Sequence, residues 1–172
     1  MRLVIDIQDP RDVISQGCPV PLARKSVRWS ESCLKKSAKE TGVYVIHHGG
    51  VIKYVGKTDS PSMCFGARLR REFQEGASGG KHNYPKLAAL TIPPEVMVSF
   101  ISAKVIDAQV KVEGFTLSGF GKIQVLETAL SHAYDPEFQR HDMARVARQL
   151  RKIGLPENTV RLMEQVTTAK IS

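Results

Sequence analysis

The residue pattern predicts an α+β fold: a β-hairpin, a helix, a third strand and a second helix, followed by more helix at the C-terminal end. Three observations predict it. β-Branched and aromatic residues crowd positions 41–56 around a Gly-Gly pair, apolar residues alternate at Val96, Val98 and Phe100, and helical spacing takes over from about residue 122. A change in apolar period from two residues to 3.6 marks strands giving way to helices.

Taken in order, residues 1–40 read as an N-terminal accessory segment. Leu3, Ile5 and Ile7 alternate as a short strand, Pro10, Pro19 and Pro21 punctuate a loop, and residues 31–39 form a polar helix candidate. At 41–56, Val43, Val45, Val51 and Val55 flank His48-Gly49-Gly50, the composition of a hairpin with a glycine turn. A loop follows at 57–62. Residues 66–75 then read as a helix with Leu69 and Phe73 one turn apart on its inner side. The glycine-rich stretch 75–83 reads as loop, 85–90 as a short helix, 95–106 as the third strand, and 111–120 as an extra hairpin or loop. The helix expected at 122–134 stops at Asp135-Pro136. Met143, Val146, Leu150 and Ile153 make one stripe of a last amphipathic helix, with Arg145, Arg148, Arg151 and Lys152 on the rest. Gly154-Leu155-Pro156 then ends that helix and opens another short one.

Composition narrows the function. The 172 residues suit one core with short flanks, and 42% hydrophobic residues can fill it. Lys plus Arg number 25 against 17 Asp plus Glu, a net charge of +8 that favours a polyanionic partner, nucleic acid first. The sequence has no apolar run of about 18 residues and no lipidation motif, so no membrane role is expected. Cys18, Cys33 and Cys64 make an odd set with no C-x-x-C pair, which reads as ordinary thiols in a reducing, cytoplasmic setting.

Gly42-Val43-Tyr44 precedes Tyr54-Val55-Gly56-Lys57-Thr58, with the two tyrosines ten positions apart. Arg68 follows on a helix within Arg68-Leu69-Arg70-Arg71-Glu72-Phe73, and Glu127 on a later helix within Leu126-Glu127-Thr128-Ala129-Leu130. This ordered set resembles the GIY-YIG nuclease family over about residues 41–139. The resemblance implies a small three-stranded antiparallel sheet flanked by helices, and a metal-dependent endonuclease that hydrolyses phosphodiester bonds in DNA. It implies Tyr44, Tyr54, Arg68 and Glu127 as catalytic residues, Glu127 as the ligand of a single Mg²⁺ or Mn²⁺, and Lys57 and Gln139 at the substrate. Residues 140–172 fall outside it as a basic helical extension. Two positions depart: Glu72 stands where relatives often carry His or Tyr, and Gln139 where asparagine is usual.

The residue types suit the chemistry. One carboxylate can hold Mg²⁺ when water and phosphate oxygens fill the other positions. Arg68 has the planar fork that fits a phosphate. Tyr44 or Tyr54 could orient the attacking water, or take its proton if a phenol pKa of about 10 were lowered by the metal and Lys57; the resemblance implies Tyr44 nearest the base role and Tyr54 as a hydrogen-bonding partner. Glu127 falls on the stripe Ile123, Glu127, Leu130, Tyr134, where a carboxylate needs a cation or donors. Glu72 reads as a salt-bridge or surface residue, His47, His48 and His82 as solvated loop residues, and Trp29 as core.

Double-stranded DNA is the first expected substrate; one centre cuts one strand at a time, which implies a homodimer, two visits or a nick-only role. The rivals are a GIY-YIG-like nucleic-acid-binding module without turnover and a protein-interaction domain without any nucleic-acid role.

Overall fold

Two glycines decide the central turn. Gly49 and Gly50 both take positive φ, 57° and 77°, the conformation a two-residue hairpin needs to match the twist of its strands. They join β3 (Gly42–His48) to β4 (Val51–Thr58). The computed structural model describes residues 3–5, 18–19, 37–73, 83–90, 96–112, 116–139, 143–152, 154, 157, 160 and 161. Within them, β1 is Leu3–Ile5 and β2 is Cys18–Pro19. The expected helix at 31–39 lies mostly outside the described residues, and 37–39 form a turn closed by Glu40 N–H on the Ser37 carbonyl.

β5 (Val96–Ser102) pairs antiparallel with the other side of β3, giving the three-stranded order β5-β3-β4, and β2 adds two residues outside β5. The third strand is shorter than its expected reach to residue 106. The Ser102 hydroxyl accepts from the Val105 N–H at 3.4 Å and starts a helix, α3 (Ala103–Gln109), at the next residue. A serine N-cap ends the strand although apolar residues continue. Beyond it, β6 (Val110–Val112) pairs with β1 as a separate two-stranded ribbon.

The other helices are α1 (Phe65–Phe73), α2 (Tyr84–Ala88), α4 (Gly119–Tyr134) and α5 (Met143–Lys152). α4 begins three residues before its expected start because Ser118 caps it, its hydroxyl accepting from Gly121 N–H at 3.1 Å. Asp135 closes α4 in the left-handed region, φ 43°. The extension is helical, as expected, with Ala147 and Leu150 of α5 buried. Among the described residues no helix is long and apolar enough to cross a membrane.

The sheet is covered on both faces. Val43, Val45, Val55 and Ile101 pack with Ile106 of α3, Ile123, Leu126 and Leu130 of α4, and Leu150 of α5. Tyr44, Ile46 and Val98 point the other way and pack with Phe65, Leu69 and Phe73 of α1, Leu87 of α2 and Phe138. β4 carries a bulge: Ile46 faces Tyr54 while His47 faces Ile52, so Lys53 is an extra residue. One consequence is that Tyr54 shares a face with Tyr44 and Ile46.

Candidate active site

The two motif glycines are required by close approach. A Cβ on Gly56 would collide with the ring and hydroxyl of Tyr44, which lies directly across the sheet from it. Gly42 has φ 147°, and a Cβ there would strike the Ile101 carbonyl. Its N–H also donates to Thr58 Oγ1 at 3.3 Å. Thus Gly42, Tyr44, Gly56 and Thr58 depend on one another geometrically.

Tyr44 is fully buried. Its hydroxyl donates to Glu72 Oε1 at 3.2 Å and accepts from Arg68 Nε at 3.1 Å. Arg68 and Glu72, one helical turn apart on α1, approach to 3.6 Å, so the phenol oxygen links a cation to an anion. Glu72 Oε2 also accepts the Asn83 N–H at 3.2 Å, which ties α1 to the start of α2. The surface alternative for Glu72 is therefore corrected: its side chain is wholly buried, and it pairs with Arg68 as the salt-bridge alternative has it. The signal was its spacing, since Arg68 and Glu72 lie on the same side of α1 as Leu69 and Phe73, the helix's buried side.

Tyr54 sits beside Tyr44, ring centroids 6.0 Å apart. Both phenols titrate above their usual range. For Tyr44 burial is the main cause, joined by Tyr54 and the Glu72 charge against the opposing pull of Arg68. For Tyr54 burial again leads, then Glu72, with a smaller contribution from Glu127. The expected lowering by Lys57 is not found. Lys57 alternates to the other face, where its ammonium pairs with Asp59 Oδ2 and lies 4.9 Å from the centroid of Phe120. Burial would weaken the Arg68 cation, but Tyr44, Tyr54 and Glu72 around it raise its pKa above the ordinary arginine value. It is a permanent positive charge.

Glu127 is half-buried on α4, and its charge is felt at Tyr54. Gln124, one turn earlier, is 1% exposed and donates from Nε2 to Glu127 Oε2 at 3.0 Å. Thr128 Oγ1 donates to the Gln124 carbonyl at 2.9 Å and receives a weaker bond from the Gln124 amide at 3.3 Å. Among the described residues the buried amide oxygen of Gln124 meets no hydrogen-bond partner, which is costly unless something else meets it. Gln124 was missed in the sequence because a glutamine among Ile123, Val125 and Leu126 carries no motif.

Gln139 accepts the Val55 N–H at 3.1 Å, and Phe138 N–H donates to the Lys53 carbonyl at 2.9 Å. Gln139 thus touches β4 one residue from Tyr54. His47 departs from its expected solvated place: it is 3% exposed, with Nε2 3.1 Å from the buried Ser99 hydroxyl. His82 and Trp29 lie outside the described residues.

Among the described residues no three His, Cys, Asp or Glu side chains form a metal cage. A hard cation that keeps most of its waters needs no such cage, and Glu127, with one oxygen held by Gln124, fits such an ion as its protein carboxylate. No family model matches the chain, and no match is found among curated proteins or solved structures.

Proposed function

We propose that the chain is a metal-dependent endonuclease of the GIY-YIG type, acting on DNA, with double-stranded DNA its first substrate. One observation carries the reading. Arg68, Tyr44 and Tyr54 form a connected cluster, with Arg68 hydrogen-bonded to Tyr44 and the two rings 6.0 Å apart, and the Glu127 carboxylate influences Tyr54 from α4. A cation for phosphate, phenols to orient water and a carboxylate for a metal are what phosphodiester hydrolysis uses.

Each residue has a task. Glu127 holds Mg²⁺ or Mn²⁺, and Gln124 fixes the carboxylate's direction. The ion, when bound, neutralises phosphate charge and stabilises the leaving oxygen. Arg68, held through its Nε by Tyr44, supplies the planar cation for the phosphate. Tyr54, the less buried phenol, orients the attacking water as a neutral hydroxyl. Tyr44, wholly enclosed, positions Arg68 and does not meet the substrate. Lys57 and Gln139 flank the bound strand. One such centre cuts one strand at a time, so a double-strand break requires a homodimer or two visits.

Glu72 favours a second reading, a nucleic-acid-binding module without turnover, because its buried carboxylate partly neutralises Arg68. Plasmid cleavage decides between them. Wild type with Mg²⁺ or Mn²⁺ is expected to nick supercoiled DNA, chelator to stop it, and Glu127→Ala to lower the rate by about a hundredfold or more. Intact plasmid under all conditions, with salt-sensitive binding retained, supports the binding module. Cleavage by Glu127→Ala at the wild-type rate overturns the site.

A further inference from the structure

Among the described residues the exposed large apolar side chains are Val51, Val105 and Phe120, and Phe120 alone of these is aromatic. It is 45% exposed, in the first turn of α4. Seven residues separate it from Glu127, close to two full turns, so both project from the same side of α4, roughly 10 Å apart along its axis. Gln124, which holds Glu127, lies between them on that side. β4 packs against α4. The Glu127 charge contributes to the raised titration of Tyr54, and three residues on, Lys57, on the opposite face of β4 from Tyr54, sets its ammonium 4.9 Å from the Phe120 ring. Three strand residues also span roughly 10 Å.

From this juxtaposition we infer that Phe120 and Lys57 form a stacking subsite for one unpaired base of the nucleic-acid strand, beside the phosphate that is cut. The inference rests on the nuclease reading and specifies its substrate: a strand with an unstacked nucleotide next to the cleavage position. A solvent-exposed phenylalanine offers a face on which any base can stack. Lys57 beside the ring supplies the cation for the adjoining phosphate, in a chain of net charge +8. Asp59, which pairs with Lys57 now, gives it up when a phosphate competes. Such a platform takes hold of a base only after it has left the duplex stack, so strand ends, flaps and bulges are the preferred cutting positions.

The test measures binding without catalysis. The full chain in chelator at low salt is titrated with a single-stranded oligonucleotide carrying 2-aminopurine, and with the duplex of the same sequence. Wild type is expected to quench the fluorophore on binding. Phe120→Ala is expected to lose roughly tenfold or more of the single-strand affinity together with the quenching, while duplex affinity changes less than about twofold. Phe120→Trp restores both. Thermal unfolding of each variant verifies the fold. Unchanged quenching and affinity in Phe120→Ala, equal losses on single strand and duplex, or no binding by wild type, each overturn the subsite. The two proposals fail separately. Phe120-dependent stacking in a chain that never cuts plasmid preserves the subsite and removes the nuclease; plasmid nicking with Phe120→Ala unaltered on every strand does the reverse.

Discussion

On one face of the sheet Val43, Val45, Val55 and Ile101 meet the apolar sides of α3, α4 and α5; on the other, Tyr44, between two of those valines in the same strand, meets an arginine and a buried glutamate. Alternation along a strand is what allows this, since neighbouring residues face opposite layers. Residues on the first face contribute through burial, which tolerates swaps of similar volume. Tyr44, Arg68 and Glu72 contribute through a network in which each member satisfies another, so losing one leaves a partner unmet in a medium where that is costly. One residue's step along β3 thus passes from a face held by burial to a face held by a polar network.

The largest effect that would break this comparison comes from Arg68→Ala. It removes the cation proposed for the phosphate, so cleavage should fall by about a hundredfold or more. It also leaves the wholly buried Glu72 carboxylate without this cation. A buried pair broken on one side costs about 3–5 kcal/mol, and because Arg68 is 23% exposed the loss should be nearer 2–3 kcal/mol. Urea unfolding beside a cleavage assay checks both. A variant as stable as wild type would mean that the network does not support the second face.

Gln124→Leu sharpens the comparison from the apolar side. It replaces a buried amide with an unpartnered oxygen by an apolar side chain of similar size, so stability should hold or rise slightly. The proposed metal ligand Glu127 loses its orienting donor, and activity or metal affinity should drop by about ten- to a hundredfold. Titrating Mg²⁺ against cleavage rate reads this out; unchanged half-saturation and rate would show that Glu127 needs no help.

The smallest effect belongs to His47, the polar exception on the apolar face. Burial lowers its pKa below the usual 6.5, so the folded state takes up a proton less readily than the unfolded one. The stability this gives is present above about pH 6.5 and is lost as pH falls through the folded value. Thermal unfolding at pH 7.5 and pH 5.0 should show a smaller decrease for His47→Gln than for wild type. Equal decreases would place the acid sensitivity elsewhere.

Much of the fold was legible because its signals are local. Gly49-Gly50 announces the turn, alternation announces β3 and β5, and Leu69 with Phe73 announces the buried side of α1. What escaped depends on distant partners. β6 is a strand because β1, more than a hundred residues away, pairs with it. His47 is enclosed because Ser99 lies across the sheet, and Glu72 is buried because Tyr44 meets it from 28 residues upstream. The end of β5 was misjudged for a local reason, a serine cap inside an apolar run. For the proposed site, the motif names Tyr44, Tyr54, Arg68 and Glu127, whereas Glu72, which meets Tyr44 and Arg68, and Gln124, which meets Glu127, have no motif to mark them.

The short segment after α4 has a consequence beyond the site. β4 is the outermost strand on its side of the sheet, and such a strand invites another chain to add to it. Phe138 N–H and the Gln139 side chain occupy the free Lys53 carbonyl and Val55 N–H, and the bulge at Lys53 bends the strand between them. The same few residues that border the proposed catalytic groups therefore guard the protein against edge-to-edge aggregation, and two copies joining by strand addition at β4 would first have to peel this segment away.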